Sequence, residues 1–211
     1  SAAKNWEHVA VVTDPDDYSR IEEALSENGE IDRGLRKQLA GKAFGHTARY
    51  DALIAGRFQQ EFRSSGDAPP ASVVLPLDRA STLRYGENPH QQAAAFHVAG
   101  NEDAILGARQ IQGKSISYNN LLDLDAAWNI ACALPNTGAT IIKHLNPCGV
   151  GMIPGDLHGA YKRALQSDPV SAFGGIVGLN DEVDAELALT LKEIFLEINI
   201  VSEQIVILPT Q

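Results

Sequence analysis

Gly138-Ala139-Thr140-Ile141-Ile142-Lys143-His144-Leu145-Asn146-Pro147-Cys148-Gly149 decides how the chain is read. Its first half is a short β-branched run after a glycine, which predicts a buried strand. The run passes directly into two ionisable side chains, Lys143 and His144. Pro147 is then expected to break the chain and Gly149 to turn it. In open α/β sheets, ligands bind beyond the strand ends. A lysine is costly to bury unless paired, and a histidine titrates near neutral pH, where it serves as a general acid or base. The spacing alone fits, and slightly favours, a surface lysine beside a hydrogen-bonded structural histidine.

Outward from this strand, the pattern alternates between the two secondary-structure periods. Ala93 to Val98 reads as a strand. Leu121 to Ala133 reads as a helix, with Asn120 and Asp123 resembling an N-terminal cap. Leu157 to Gln166 reads as a helix capped by Asp156, and Ile176 to Leu179 as a second buried strand. Asp184 to Leu196 predicts a helix, and Ile205 to Leu208 a last strand. Strands alternating with helices argue for an α/β layered domain.

Upstream, Val9-Ala10-Val11-Val12 predicts a buried strand, followed by a turn at Asp14-Pro15-Asp16-Asp17. Asp16 or Asp17 is placed to cap a helix running through Glu23 and Leu25. Ile31 to about Phe62 reads as mostly helical, although Gly34, Gly41, Gly45 and Gly56 weaken the pattern. Ser64-Ser65-Gly66-Asp67-Ala68-Pro69-Pro70 is small, polar and Pro-rich, and reads as a linker. The chain thus divides into residues 1–63, a linker over 64–80, and residues 81–211.

The bulk numbers narrow the partners. Seventeen Lys and Arg against 27 Asp and Glu give a formal charge of −10. Such a surface repels a phosphate backbone, so non-specific nucleic-acid binding is not expected. Two cysteines are too few for a disulfide framework and point to a reducing, cytoplasmic setting. No apolar run approaches membrane-spanning length, so no membrane partner is expected. The start lacks both an initiator Met and a signal-peptide layout, and reads as that of an excised or processed piece.

Three further segments carry polar or ring chemistry. Arg84-Tyr85-Gly86-Glu87-Asn88-Pro89-His90 offers a guanidinium that forks onto phosphate or carboxylate, yet its composition also suits a plain solvated loop. Tyr118-Asn119-Asn120 either presents an amide to a ligand or caps a helix. In Ser171-Ala172-Phe173-Gly174-Gly175, the glycines permit close backbone approach and Phe173 is placed to stack on a planar ring; a tight turn with Phe173 in the core is the commoner arrangement of such a segment. Pro147-Cys148 matches the start of the zinc-deaminase Pro-Cys-x-x-Cys signature, but Gly151 holds the second cysteine position and His-x-Glu occurs nowhere, so zinc is not expected. Cys148 as a nucleophile beside His144 ranks low. Neither a Walker-type phosphate loop nor a dinucleotide fingerprint is present.

Taken in order and spacing, the four segments closely resemble the formyltransferase half of the bifunctional family that formylates aminoimidazole carboxamide ribonucleotide (AICAR) and closes the product to inosine monophosphate (IMP). The matching stretches are Arg84 to Gln91, Gly113 to Asp123, Lys143 to Gly149 and Asp168 to Gly175. Residues 1–62 resemble the last part of that family's cyclohydrolase domain, through Ser1 to Asn5 and Lys42 to Ala48. The resemblance implies a partial cytidine-deaminase-like α/β domain preceded by a mainly helical cyclohydrolase remnant. It implies AICAR and 10-formyltetrahydrofolate as substrates and a homodimer with shared active sites. Lys143 and His144 match the catalytic pair, and Lys4 matches a cyclohydrolase lysine. Arg84, Tyr85, Asn120, Phe173 and Gly174 match nucleotide-binding positions. Glu197 matches an acidic ligand position, although Val201-Ser202 follows where the family often has Ala-Pro. Because much of both domains lies beyond the matched stretches, the chain alone is expected to be inactive. A nucleotide-binding module without chemistry and a plain assembly domain are the competing expectations.

Overall fold

The computed structural model describes residues 2–64, 66, 68–99, 105–193, 196, 198–201 and 204–207. The chain divides into two compact units, Ser1–Pro76 and Leu77–Gln211.

The first unit is helical among its described residues. A 3₁₀ turn spans Ala2–Asn5 and a second one Pro15–Asp17, followed by α1 (Tyr18–Asn28) and α2 (Arg33–Glu61). Asp14 caps the second 3₁₀ turn, accepting from the Asp16 N–H at 3.1 Å, and Asp17 holds the N-cap position of α1 as the sequence suggested. Asp17 stands at the start of α1 without a side-chain cap bond. Its buried carboxylate instead meets the Lys42 ammonium at 2.7 Å, which also holds Asp14 at 2.7 Å. Asp32 caps α2 through the Leu35 N–H at 2.9 Å. The helix runs through four glycines because packing of Leu35, Leu39, Ala40 and Ala43 outweighs their poor propensity. The strand expected at Val9–Val12 does not form. An apolar run signals burial, but a strand also needs a neighbour to pair with, and no other strand lies among the described residues of this unit.

The second unit begins with β1 (Leu77–Leu83) and β2 (Ala93–Val98), an antiparallel pair with an irregularity between Arg79 and Ser81. Residues 77–80 of the stretch read as linker thus belong to β1. The rest comprises β3 (Arg109–Gln112), α3 (Tyr118–Ala133), β4 (Gly138–Lys143), β5 (Asn146–Met152), α4 (Leu157–Ser167), β6 (Ile176–Leu179), α5 (Ala185–Leu191), β7 (Ile198–Val201) and β8 (Gln204–Ile207). Six strands form one mixed sheet in the order β3-β8-β7-β6-β4-β5. β6 and β7 pair in parallel, as do β3 and β8; the other neighbours are antiparallel.

The central strands β4 and β6 are buried on both faces, as their continuous apolar runs predict. Side-chain alternation sends Ile141, Val177 and Leu179 to one face, where they pack with Tyr161 of α4 and Leu187 and Leu191 of α5. Ile142 and Ile176 point to the other face, against Leu124 and Ala127 of α3. α5 stops at Leu191, short of the expected Leu196.

The largest departure from the sequence reading is β5. Pro147 and Gly149 do not break and turn the chain but lie within this strand. Proline is tolerated because β5 is the sheet edge, and Ile141 pairs with Gly149 while Ile142 pairs with Pro147, leaving Cys148 as an extra residue. The glycines let α4 approach: a Cβ on Gly149 would lie 1.9 Å from the Ala164 carbonyl oxygen, and one on Gly151 1.9 Å from that of Ala160.

Candidate active site

The true turn is His144-Leu145. Lys143 pairs with Asn146, so two residues alone connect β4 to β5. Both have positive φ, 54° and 64°. That is the twist a two-residue hairpin demands, usually met by Asn-Gly. For residues with a Cβ, the left-handed region costs about 1–2 kcal/mol each. The cost is offset locally. Asp123 of α3 accepts the His144 N–H on Oδ2 at 3.3 Å and the Leu145 N–H on Oδ1 at 2.7 Å. Asn146 Nδ2 donates to the His144 carbonyl at 2.8 Å. His144 itself is exposed at the mouth of the turn.

Lys143, half-buried at the end of β4, donates from Nζ to the Phe173 carbonyl at 2.5 Å. Phe173 is not in the core; 57% of its surface is exposed. Its loop is fixed from below. Asp168 Oδ1 accepts the Ser171 N–H at 2.9 Å, and this bonding with Ser171 holds the Asp168 carboxyl below its ordinary pKa. Gly174 turns the chain at φ 70°.

The remaining two segments meet at the start of α3. Ser117 caps the helix and Asn120 is its third residue, not the cap; the two form a reciprocal capping box, with Ser117 Oγ 2.7 Å from Asn120 Oδ1. Asn120 is buried there. The Tyr118 N–H donates to the Tyr85 carbonyl at 3.0 Å, and the Arg84 N–H to the Ile116 carbonyl at 2.9 Å. Asn119 Nδ2 reaches the Glu87 carbonyl at 3.2 Å. The Arg84 guanidinium lies 4.9 Å from the Tyr85 ring centroid and touches its hydroxyl at 3.2 Å. Asp123 lies five residues beyond Tyr118, about 7.5 Å along the axis, so one helix end supports both the Arg84-Tyr85 loop and the His144 turn.

The structure therefore links Arg84, Tyr85, Asn120, Lys143, His144, Phe173 and Gly174 through a continuous set of contacts in one unit. Lys4 belongs to the first unit, exposed on the Ala2–Asn5 turn. Glu197 lies outside the described residues. Asp123, which holds the His144-Leu145 turn, was read from the sequence only as part of a helix cap. Burial, with Asp168 nearby, pushes the Cys148 thiol up, which disfavours the thiolate that a nucleophile needs. Among the described residues, no group of three or more His, Cys, Asp or Glu side chains is placed to hold a metal, and no helix is long and apolar enough to cross a membrane.

Comparison with known proteins matches residues 2–205 to a family described as the AICARFT/IMPCHase bienzyme. The chain is 46% identical over 208 residues to a protein of Desulfitobacterium hafniense named bifunctional purine biosynthesis protein PurH, a match covering 96% of the chain and 40% of that protein. Proteins of the same name from Halalkalibacterium halodurans and Bacillus mycoides are 45% and 44% identical, each match covering 94% of the chain and 38% of the relative. The chain thus spans about two fifths of the length of these relatives.

Proposed function

The chain belongs to the AICARFT/IMPCHase bienzyme family, and from that membership we propose that it works as part of a full-length enzyme that formylates AICAR and cyclises the product to IMP in purine biosynthesis. Residues 81–211 are the first part of the formyltransferase domain, of cytidine-deaminase-like fold and without zinc. Residues 1–63 are the last part of the cyclohydrolase domain, where Lys4 serves the ring closure, and 64–80 join the two. The enzyme acts as a cytoplasmic homodimer with shared sites, and the chain alone is inactive in both reactions.

The observation that carries this reading is that the Arg84-Tyr85 loop and the Lys143-His144 strand end meet at the first turns of α3, with the Phe173 loop bound to Lys143. The attacking amine of AICAR is conjugated to a carboxamide-bearing ring and is a weak nucleophile. His144 takes its proton as the nitrogen bonds to the formyl carbon of 10-formyltetrahydrofolate. The carbonyl oxygen becomes a tetrahedral oxyanion, which the Lys143 ammonium stabilises. The carbon–N10 bond then breaks, and the folate nitrogen leaves with a proton delivered from this acid–base pair. Phe173 and Tyr85 flank the planar ring. Arg84, Asn120 and the Gly174 backbone orient the nucleotide.

His144→Ala in the full-length enzyme tests the reading. Formyl-transfer turnover is expected to fall by at least ~10²-fold, with AICAR affinity nearly unchanged. Unchanged turnover removes His144 from the mechanism. A wild type that binds AICAR but transfers no formyl group makes the protein a nucleotide-binding module.

A further inference from the structure

Asp123 grips the strand-end turn through that turn's backbone amides. Its two carboxylate oxygens take the N–H groups of His144 and Leu145 separately, at 3.3 and 2.7 Å. These are the two residues whose left-handed conformations neither side chain favours. A bidentate charged acceptor suits such a turn, because both amides point to the same side and both bonds are charge-assisted. The carboxylate is itself well held. Asp123 sits on the second turn of α3, beside the fully buried Leu124, and the Ser117–Asn120 capping box fixes the helix start. No bond from Asp123 to the His144 ring is present; its described hydrogen bonds run to the turn backbone.

We infer that Asp123 is a positioning residue for formyl transfer: its carboxylate locks the His144-Leu145 turn in the left-handed form and so aims the His144 imidazole. This rests on the reading of His144 as the base. Asp123 touches no reacting atom and transfers no proton. Leu145, exposed and outside the substrate-contacting set, contributes only its backbone.

The test uses the full-length enzyme. Asp123→Asn preserves size but replaces one acceptor with an NH₂ group facing an N–H. The kcat for formyl transfer is expected to fall about 10²-fold, the scale set by small misplacements of a catalytic group, while KM for AICAR stays within about threefold. Leu145→Gly in the same background is expected to restore kcat at least about tenfold, since glycine adopts positive φ without steric cost. A group acting in the chemistry, or one needed only for global folding, gains nothing from a glycine at 145. Leu145→Val, with Asp123 intact, is expected to lower kcat because β-branched residues resist positive φ. Wild-type kcat in Asp123→Asn or in Leu145→Val, or a loss that Leu145→Gly leaves unrecovered, overturns the inference. Should Asp123→Asn not fold, Leu145→Val alone decides. Amide hydrogen exchange of the peptide spanning 141–147 reads the turn without chemistry. Faster exchange in Asp123→Asn supports the inference and equal exchange overturns it, even if a wild type without formyl transfer has already refuted the functional reading.

Discussion

Lys143 and Phe173 are joined by a 2.5 Å hydrogen bond from the ammonium to the carbonyl oxygen, across the open ends of β4 and β6. The bond ties the proposed oxyanion donor to the loop that carries the exposed ring. Lys143→Met keeps the length of the side chain and removes its charge. Single-turnover formyl transfer is expected to slow by about 10²–10³-fold, as for loss of one oxyanion donor. Lys143→Arg is not expected to rescue, since a planar fork does not replace a point charge at one carbonyl. A rate within about threefold of wild type would reduce Lys143 to a strut for the Phe173 loop.

Gly149→Ala is predicted to destabilise the second unit. Neither Gly149 nor Gly151 has a positive φ, so the cost is purely steric. The new Cβ would meet the Ala164 carbonyl, which belongs to the α4 backbone and cannot rotate away. Overpacking of this kind costs about 1–3 kcal/mol. Urea unfolding of the chain would show a lower midpoint with an unchanged slope. Gly155→Ala is no substitute control, because its φ of 72° adds backbone strain to any steric effect.

These glycines also mark the limit of what the sequence discloses. β4 and β6 were legible because continuous β-branched runs have few structures open to them besides a strand covered on both faces. β5 was not, because Pro147, Gly149 and Gly151 read locally as breakers; their tolerance depends on the sheet edge and on the small residues of α4, both distant in sequence. Val9–Val12 shows the converse, apolar enough to be half-buried but with no strand beside it among the described residues of its unit. At the site, the place of Lys143 and His144 at a strand exit was readable, but spacing alone slightly favoured a surface lysine beside a structural histidine, and only the family resemblance pointed to chemistry. Asp123 was not readable, because nothing near a helical carboxylate announces partners 21 and 22 residues ahead. Phe173 read more readily as a core residue of a tight turn, and its exposure corrects that reading.

Ser117→Ala should separate ground-state binding from chemistry. Ser117 Oγ both caps α3 and holds the buried Asn120 amide. Loss of the cap costs about 1 kcal/mol of stability. Asn120, proposed to orient the nucleotide, then loses its 2.7 Å contact with the Ser117 hydroxyl, whereas no direct bond of Lys143 or His144 is removed. KM for AICAR is expected to rise severalfold with kcat nearly constant. A fall in kcat at constant KM would place Asn120 in the transition state instead.

Tyr161 gives a prediction for alkaline pH. It is fully buried on α4, and its hydroxyl has no hydrogen-bond partner among the described residues. Burial, with Glu193 nearby, pushes its pKa up to about 12, against about 10 in an unfolded chain. Between those values the unfolded chain releases a proton that the folded chain retains. The contribution to stability is therefore fully present below about pH 10 and is lost as pH rises towards about 12. Tyr161→Phe removes both the unmatched hydroxyl and the titration. At neutral pH it is expected to be neutral to stabilising, by up to about 1–3 kcal/mol. Its advantage over wild type should then widen from about pH 9 to about pH 11, read as urea midpoints by far-ultraviolet circular dichroism. A gap that stays constant over that range would mean that Tyr161 ionises alike in both states, and that its hydroxyl reaches solvent or a partner in solution.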